Sequence, residues 1–249
     1  MTVAPAPFVL LPPSEGKAPG GTRAGCAGTF DAALRGPRRA VRAALADALA
    51  GPPAARPKLF GATGALLDRA VAATTSLVDG RPPRLPAWQR YTGVVWTELE
   101  PDSLEAADRR HILVPSAVYG VTTAEDRIAD HRIKMSVRLG DLGVLARFWQ
   151  PTVTAALARH CADSTVVDLL PVEHAAAVDW ATLAAAATVV RVRFVTSTGR
   201  AVGHDAKAAK GAFARAVLTC GLDGATSFSW RGWTAQRDRS ASSITVTAP

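Results

Sequence analysis

The chain has 249 residues, 48% apolar and 20% charged, an ordinary globular balance with ample material for a core. Lys and Arg number 29 against 21 acids, giving a net charge of +8, which favours polyanionic partners: nucleic acid, phosphorylated small molecules or an anionic surface. Extended disorder is excluded by the few long polar stretches, and a membrane span by the lack of an uninterrupted apolar run. Cys26, Cys161 and Cys220 are far apart and in no CxxC spacing, so neither a disulfide scaffold nor a zinc site is expected. The opening MTVAPAPFVLLPPSEGK lacks the basic start of a secretory signal, and a reducing cytoplasm is the expected compartment.

Taken in chain order, APFVLL (6–11) reads as a short buried strand ended by Pro12-Pro13, followed by a Gly-rich loop. Residues 31–50 are helical in pattern, with a break and restart predicted at Gly36-Pro37, and 64–77 form a second helix. A proline-punctuated segment leads into YTGVVWTEL, whose β-branched centre predicts a strand. DSLEAADRRH is a helix opened by an Asp or Ser cap, and HILVPSAVYG a buried strand into a turn. DHRIKMSVRLG alternates as a strand, with Arg132, Lys134 and Ser136 on one face and Ile133, Met135 and Val137 on the other. A helix follows over VLARFWQPTVTAALARHCA, then a strand in STVVDLL, the clearest strand at 189–195, and a helix capped by His204-Asp205 and stopped by Gly221. SFSWRGWTA and SSITVTA close the chain as strands. Helices alternating with strands and no long linker predict one α/β or α+β domain over 1–249.

Rare residues rank the candidate site. Asn is absent, and the only lysines are Lys17, Lys58, Lys134, Lys207 and Lys210; the only tyrosines are Tyr91 and Tyr119. Where Arg is so abundant, a retained Lys marks a place that a planar guanidinium does not serve. PPSEGK puts Ser14, Glu15 and Lys17 on a loop directly after a buried strand, where α/β proteins place ligand contacts, though it is not a Walker A loop. In GHDAKAAKGAFAR, Lys207 and Lys210 share a helix face with Arg215 at its margin, and Gly211 admits a close backbone or ligand. A solvated basic face and a bound anion both answer this pattern. Among five histidines, His131 beside Asp130 and His174 beside Glu173 are the candidates for proton transfer. No HExxH or GxSxG occurs; the carboxylates and histidines show no ligand spacing, although Asp168, Glu173 and His174 could be assembled by folding. No metal or cofactor is expected.

The blocks PPSEGK, YTGVVW, VPSAVYGVTTAEDRIADHRIKMSVRLG, Phe148-Trp149, VDLLPVEH and GHDAKAAKGAFAR together resemble the YaaA family in its actinobacterial form, from about residue 7 to 235. The resemblance implies a one-domain fold of the cantaloupe type, a mixed sheet surrounded by helices with a basic cleft. It implies a role in resistance to hydrogen peroxide, limiting free iron, and binding of duplex or distorted DNA through a helix-hairpin-helix element. Gly140–Gly143 is the first candidate for that hairpin and Gly221–Gly224 the second. Lys134 stands where the family pattern has an acidic residue, and PPSEGK where many members carry Ser-Pro-Ala-Lys.

Two functions follow as expectations. In the first, a monomeric DNA-binding protein of the peroxide response neutralises phosphates with Lys17, Arg132, Lys134, Lys207, Lys210 and Arg215. In the second, an enzyme acts on a phosphorylated or nucleotide-like small molecule in the same cleft, with Ser14, Glu15, Tyr91, Tyr119 and Glu173 as acid/base equipment. A narrow pocket argues for the second, a wide groove for the first.

Overall fold

A computed structural model describes residues 6–23, 28–198, 205–238 and 242–249. In chain order the elements are β1 (Phe8–Leu10), α1 (Asp31–Ala50), α2 (Arg56–Phe60), α3 (Gly64–Val78), β2 (Arg84–Pro86), α4 (Ala87–Arg90), α5 (Val94–Leu99) and α6 (Ala106–Arg110). There follow β3 (Ile112–Ser116), β4 (Gly120–Thr123), β5 (Arg127–Ala129), α7 (Leu145–His160), β6 (Thr165–Asp168), α8 (Val172–Ala175) and α9 (Trp180–Ala186). The last are β7 (Thr188–Val195), α10 (Asp205–Gly224), β8 (Ser229–Trp230), β9 (Trp233–Asp238) and β10 (Ser243–Thr247).

Eight strands form one mixed sheet in the order β4-β3-β1-β6-β7-β10-β9-β8, while β2 and β5 pair as a separate antiparallel ribbon. The run from β3 to β10 is parallel, and the antiparallel strands β4, β9 and β8 lie at its two edges. Alternation of side chains divides the strands between two cores. Val9, Leu11, Ile112, Val114 and Val167 pack on one face with α5 and α10; Leu10, Leu113 and Val166 pack on the other with α1, α7 and α9. Strands buried on both faces explain why FVLL and ILV read as continuous apolar runs. An α/β class with a mixed sheet and flanking helices is therefore observed.

The connections decide where a ligand can enter. From β1 the chain moves to β3 on one side, and from β6 to β7 on the other, while β1 and β6 are direct neighbours. The loops leaving the carboxyl ends of β1 and β6 thus diverge and leave a crevice between them, the usual ligand position in open α/β sheets.

Several local expectations are corrected. α1 runs unbroken through Gly36-Pro37, with Pro37 inside the helix; Leu34, Val41 and Leu45 anchor both halves to the same core and outweigh the one lost N–H bond. The segment predicted as a strand at 91–96 enters α5 instead. Gly93 starts this helix, and Val95, Trp96 and Leu99 bury against α10, so tertiary packing overrides β-propensity. In DHRIKMSVRLG the alternation is realised, with His131, Ile133 and Met135 buried and Lys134 and Ser136 exposed, but the segment pairs with no strand. Asp102 and Ser103 lie in a 3₁₀ turn, and Glu105 precedes α6 without a side-chain cap bond. Gly140–Leu142 is a 3₁₀ turn with α7 after it and no helix over 130–139 before it. Gly221, at φ 70°, kinks the end of α10, beyond which only a 3₁₀ turn and strands follow. The first turn lacks a helix before it, and past Gly221 the helical residues 222–224 and the 3₁₀ turn are too short to serve as the second helix of a helix-hairpin-helix. The His204 half of the predicted cap lies outside the described residues.

Candidate functional site

The crevice between β1 and β6 is built first from the loop leaving β1. Pro12 accepts a hydrogen bond from Trp96 Nε1 at 3.1 Å, fixing the loop's root. Further on, the Ala18 amide donates to Arg90 O (2.9 Å) and the Thr92 amide to Gly16 O (3.1 Å), so the backbone at Lys17 pairs with that at Tyr91. This pairing turns the Lys17 side chain inward. Its Nζ donates to Ser14 O at 2.6 Å, lies 5.5 Å from the centre of the Tyr91 ring, and the residue is only 9% exposed. Burial, reinforced by the charge of Arg132 and opposed by Asp130 and Glu15, lowers its pKa to about 8.

Ser14 sits between close neighbours. A Cβ on Gly93 would fall 2.4 Å from Ser14 Oγ, and one on Gly16 would fall 2.9 Å from Thr92 Oγ1, so the two glycines let the loop and the segment after Tyr91 approach closely with these hydroxyls where they are. Ser14 Oγ is buried with no hydrogen-bond partner. Such an atom costs about 1–3 kcal/mol unless a partner arrives.

The opposite side comes from β6 and α10. Lys210 Nζ donates to Leu169 O at 2.6 Å, just past the end of β6. Its pKa is also lowered to about 8, by burial first, with Asp168 opposing and Lys207 adding. Burial raises the Asp168 carboxyl, partly offset by the Leu170 amide that it accepts at 2.9 Å. Gly211, next to Lys210, faces the backbone of α5: a Cβ there would meet Val95 O at 2.2 Å. The close approach that its sequence position predicted is thus to a helix.

On α8, Glu173 Oε1 accepts from Ser136 N (3.1 Å) and Oγ (2.9 Å). Burial works against its ionisation, but these two bonds prevail and hold the carboxyl below the usual range. His174 has a buried, unpartnered Nδ1. Burial lowers its pKa; Glu173 opposes this and Lys210 and Lys17 reinforce it.

Two hollows result, one on each side of Pro13–Glu15. The first, about 250 Å³, is lined by Lys17, His131, Arg132, Lys134 and Glu173; the second, about 470 Å³, by Gly93, Trp96, Pro171, Lys207 and Lys210. Ser14, Glu15 and His174 line both. At the first mouth, Arg132 grips Asp130 at 3.0 and 3.2 Å and donates to Glu15 O at 3.0 Å, while Lys134 Nζ lies 4.0 Å from Glu15 Oε1 in solvent.

Folding therefore brings together Ser14, Glu15, Lys17, Arg132, Lys134, Glu173, Lys207 and Lys210. Three predicted residues lie elsewhere. Tyr91 is buried beneath Lys17 and tilted against Trp96 at 4.9 Å between ring centres, with its hydroxyl unpartnered and its pKa raised by burial. Tyr119 accepts from the Ala129 amide at 2.9 Å and faces a different groove. Arg215 donates to Leu99 O, Glu100 O and Ser103 Oγ at the far end of α5.

His131 lines the first hollow without titrating near neutrality. Its Nδ1 pairs with Ala129 O at 3.0 Å, its Nε2 with Ser116 Oγ at 3.3 Å, and burial, with Lys17 adding, lowers its pKa to about 3. The sequence reading missed Arg90, 1% exposed, which donates to Ala18 O, Gly20 O and Pro83 O and pins the loop behind Lys17. A single Arg in a proline-rich stretch carries no signal of that role. Among the described residues no three His, Cys, Asp or Glu side chains converge as metal ligands, and no helix is long and apolar enough to cross a membrane.

The family model described as peroxide stress protein YaaA matches residues 8–238. A UPF0246 protein of Streptomyces coelicolor is 34% identical over 224 residues, spanning 86% of this chain and 84% of its own length. One from Corynebacterium efficiens is 32% identical over 220 residues, with 85% of each chain covered, and one from Ruegeria sp. is 32% identical over 144 residues, covering 53% of this chain and 57% of its own. A match across the sheet and the crevice alike makes this chain a member of the YaaA peroxide stress protein family.

Proposed function

We propose that the crevice binds a small phosphate-bearing molecule and handles a proton of that guest, in the service of the peroxide response with which the family is associated. The observation that carries this reading is the pairing of two amines with pKa about 8, Lys17 and Lys210, on either side of a loop whose buried Ser14 hydroxyl lacks a partner. An anion entering either hollow meets an ammonium and an unused hydroxyl, and both gain a partner. Lys134 and Lys207, both exposed, draw anions to the mouths. An amine near pKa 8 also exists partly as the free base at neutral pH and can take a proton from a bound group.

Of the two expected functions, the geometry favours the small molecule over the duplex. The second hollow, about 470 Å³, has the size of a small-ligand pocket, and the first, about 250 Å³, is slightly smaller. The Lys17 amine, in a residue only 9% exposed, is too deep for the backbone phosphate of a rigid duplex. Calorimetric titration with inorganic phosphate, a sugar phosphate, a nucleoside monophosphate and a short duplex tests the choice. Saturable binding of a phosphorylated small molecule, lost in Lys17→Met and in Ser14→Ala, is expected; binding of duplex alone, weakening steeply with salt, overturns it.

A further inference from the structure

A second basic feature shares no residue with the crevice. Arg35, Arg38, Arg39 and Arg42 recur at i, i+3, i+4 and i+7 along α1, so they form one stripe beside the Leu34, Val41 and Leu45 face that packs on the core. Like charges at this spacing oppose the helix unless an anion answers them. Across from the stripe stand Arg84 of β2 and Arg127 of β5, and the six guanidinium groups line one groove of about 360 Å³.

The groove's acids are already committed. Asp31 pairs with Arg38, and Asp126 accepts from Thr29 N and Oγ1 at 2.9 Å and from Thr123 N at 3.0 Å. Arg38 is further fixed by bonds to Tyr119 O and Val121 O at 2.8 and 2.9 Å. Arg35, Arg39 and Arg42 make no ion pair among the described residues. On the far wall, Nε of Arg84 and of Arg127 are buried without partners. The floor holds one more unmet polar atom: Thr122, 2% exposed, has a buried Oγ1 with no hydrogen bond.

We infer that this groove is a binding site for a linear oligophosphate, either free or as the phosphate tail of a nucleotide. Guanidinium forks match phosphate oxygens, and a hydroxyl on the floor adds a neutral donor. The stripe from Arg35 to Arg42 extends about 10 Å along the helix, more than one phosphate can span and near the length of a chain of three. Thr122 in this lining, at 2% exposure, lies too deep for the backbone of a duplex.

The test is calorimetry on the full chain at fixed ionic strength, with sodium triphosphate, orthophosphate, magnesium-free ATP and a short duplex DNA. Triphosphate is expected to bind at least about tenfold tighter than orthophosphate, since it gains further charge-assisted bonds. Arg39→Gln combined with Arg42→Gln, both exposed and free of structural bonds, should weaken it by about tenfold or more. Thr122→Val should weaken it while leaving the melting temperature of the free protein unchanged or higher, because it deletes an atom unsatisfied without ligand. Lys17→Met should leave it unaltered, which separates this site from the crevice. Equal affinity for ATP and triphosphate assigns recognition to the phosphate chain alone; tighter ATP assigns the natural guest to the nucleotides. Absence of saturable triphosphate binding, its persistence in the double arginine variant, or duplex binding that triphosphate does not compete overturns the inference.

Discussion

Lys17 Nζ donates to the carbonyl oxygen of Ser14, three residues earlier on the same loop, at 2.6 Å. The bond folds a buried ammonium back onto its own backbone and leaves the Ser14 hydroxyl, on the other side of that residue, unengaged. Polar groups held in this state cost stability in the free protein.

Lys17→Met should therefore stabilise the chain. The folded pKa of about 8 lies below the ordinary 10.5, so the ammonium is worth about 3 kcal/mol less in the folded state at pH 7. Loss of the bond to Ser14 O returns about 1 kcal/mol of that, leaving a net gain of about 2 kcal/mol. In the wild type, stability rises with pH between about 8 and 10.5, where the unfolded chain retains a proton that the folded one has released. Urea denaturation of both proteins at pH 7 and pH 9.5 checks this: the advantage of the variant must shrink at the higher pH.

Ser14→Ala is expected to stabilise the free chain by about 1 kcal/mol, because it removes a buried hydroxyl that satisfies nothing. A loss of stability in thermal unfolding would mean that the hydroxyl has a partner in the free protein.

Gly211→Ala should be severe despite alanine's better helix propensity. The added methyl would lie 2.2 Å from Val95 O and 3.0 Å from Leu99 N, both backbone atoms that cannot rotate away. A destabilisation of about 3 kcal/mol is expected, together with weakened phosphate binding, because α10 must move and carry Lys210 with it. Chemical denaturation and calorimetry read the two effects separately.

His131 should stay neutral through the physiological range. With a folded pKa of about 3 against 6.5, its contribution is complete above pH 6.5 and is lost as pH falls from there toward 3. Its imidazole NMR signals are expected to be flat between pH 5 and 8; a midpoint near 6.5 would contradict the buried pair with Ser116 and Ala129.

Cys161, fully buried with its thiol pushed up to about 12, should resist iodoacetamide, whereas the exposed Cys220 reacts. Peptide mass spectrometry of the native protein, with the unfolded chain as reference, distinguishes the two.

Strands buried on both faces were legible because apolar runs such as FVLL and HILV tolerate little else. The loop after β1 was legible for the same reason, since a Pro-Pro stop after such a run can only lead to a sheet end. What misled was local chemistry answering to distant partners. Val94-Val95-Trp96 carries strand residues, yet Gly211, more than a hundred positions later, offers a backbone surface on which only a helix fits. The 131–137 segment has the pleat of a strand without a neighbour to pair with, because side-chain burial sets the alternation and a ladder is a separate requirement. Rarity pointed to Lys17 and Lys210, which line the two hollows of the crevice, and equally to Tyr91 and Tyr119, whose rings the fold packs into its core. The arginines of α1 gave no warning, since a groove wall and a solvated helix face share one spacing, and the facing wall comes from Arg84 and Arg127 on a ribbon remote in sequence.

Because Pro13–Glu15 is a partition with a hollow on either side, it behaves like a party wall between adjoining rooms. A change made for one tenant is felt by the other: moving Ser14 to widen the first hollow narrows the second, and the glycines packed against it leave no third direction. Divergence in ligand preference within such a scaffold must then come from the outer walls, where Lys134 and Lys207 can be exchanged one at a time without disturbing the neighbour.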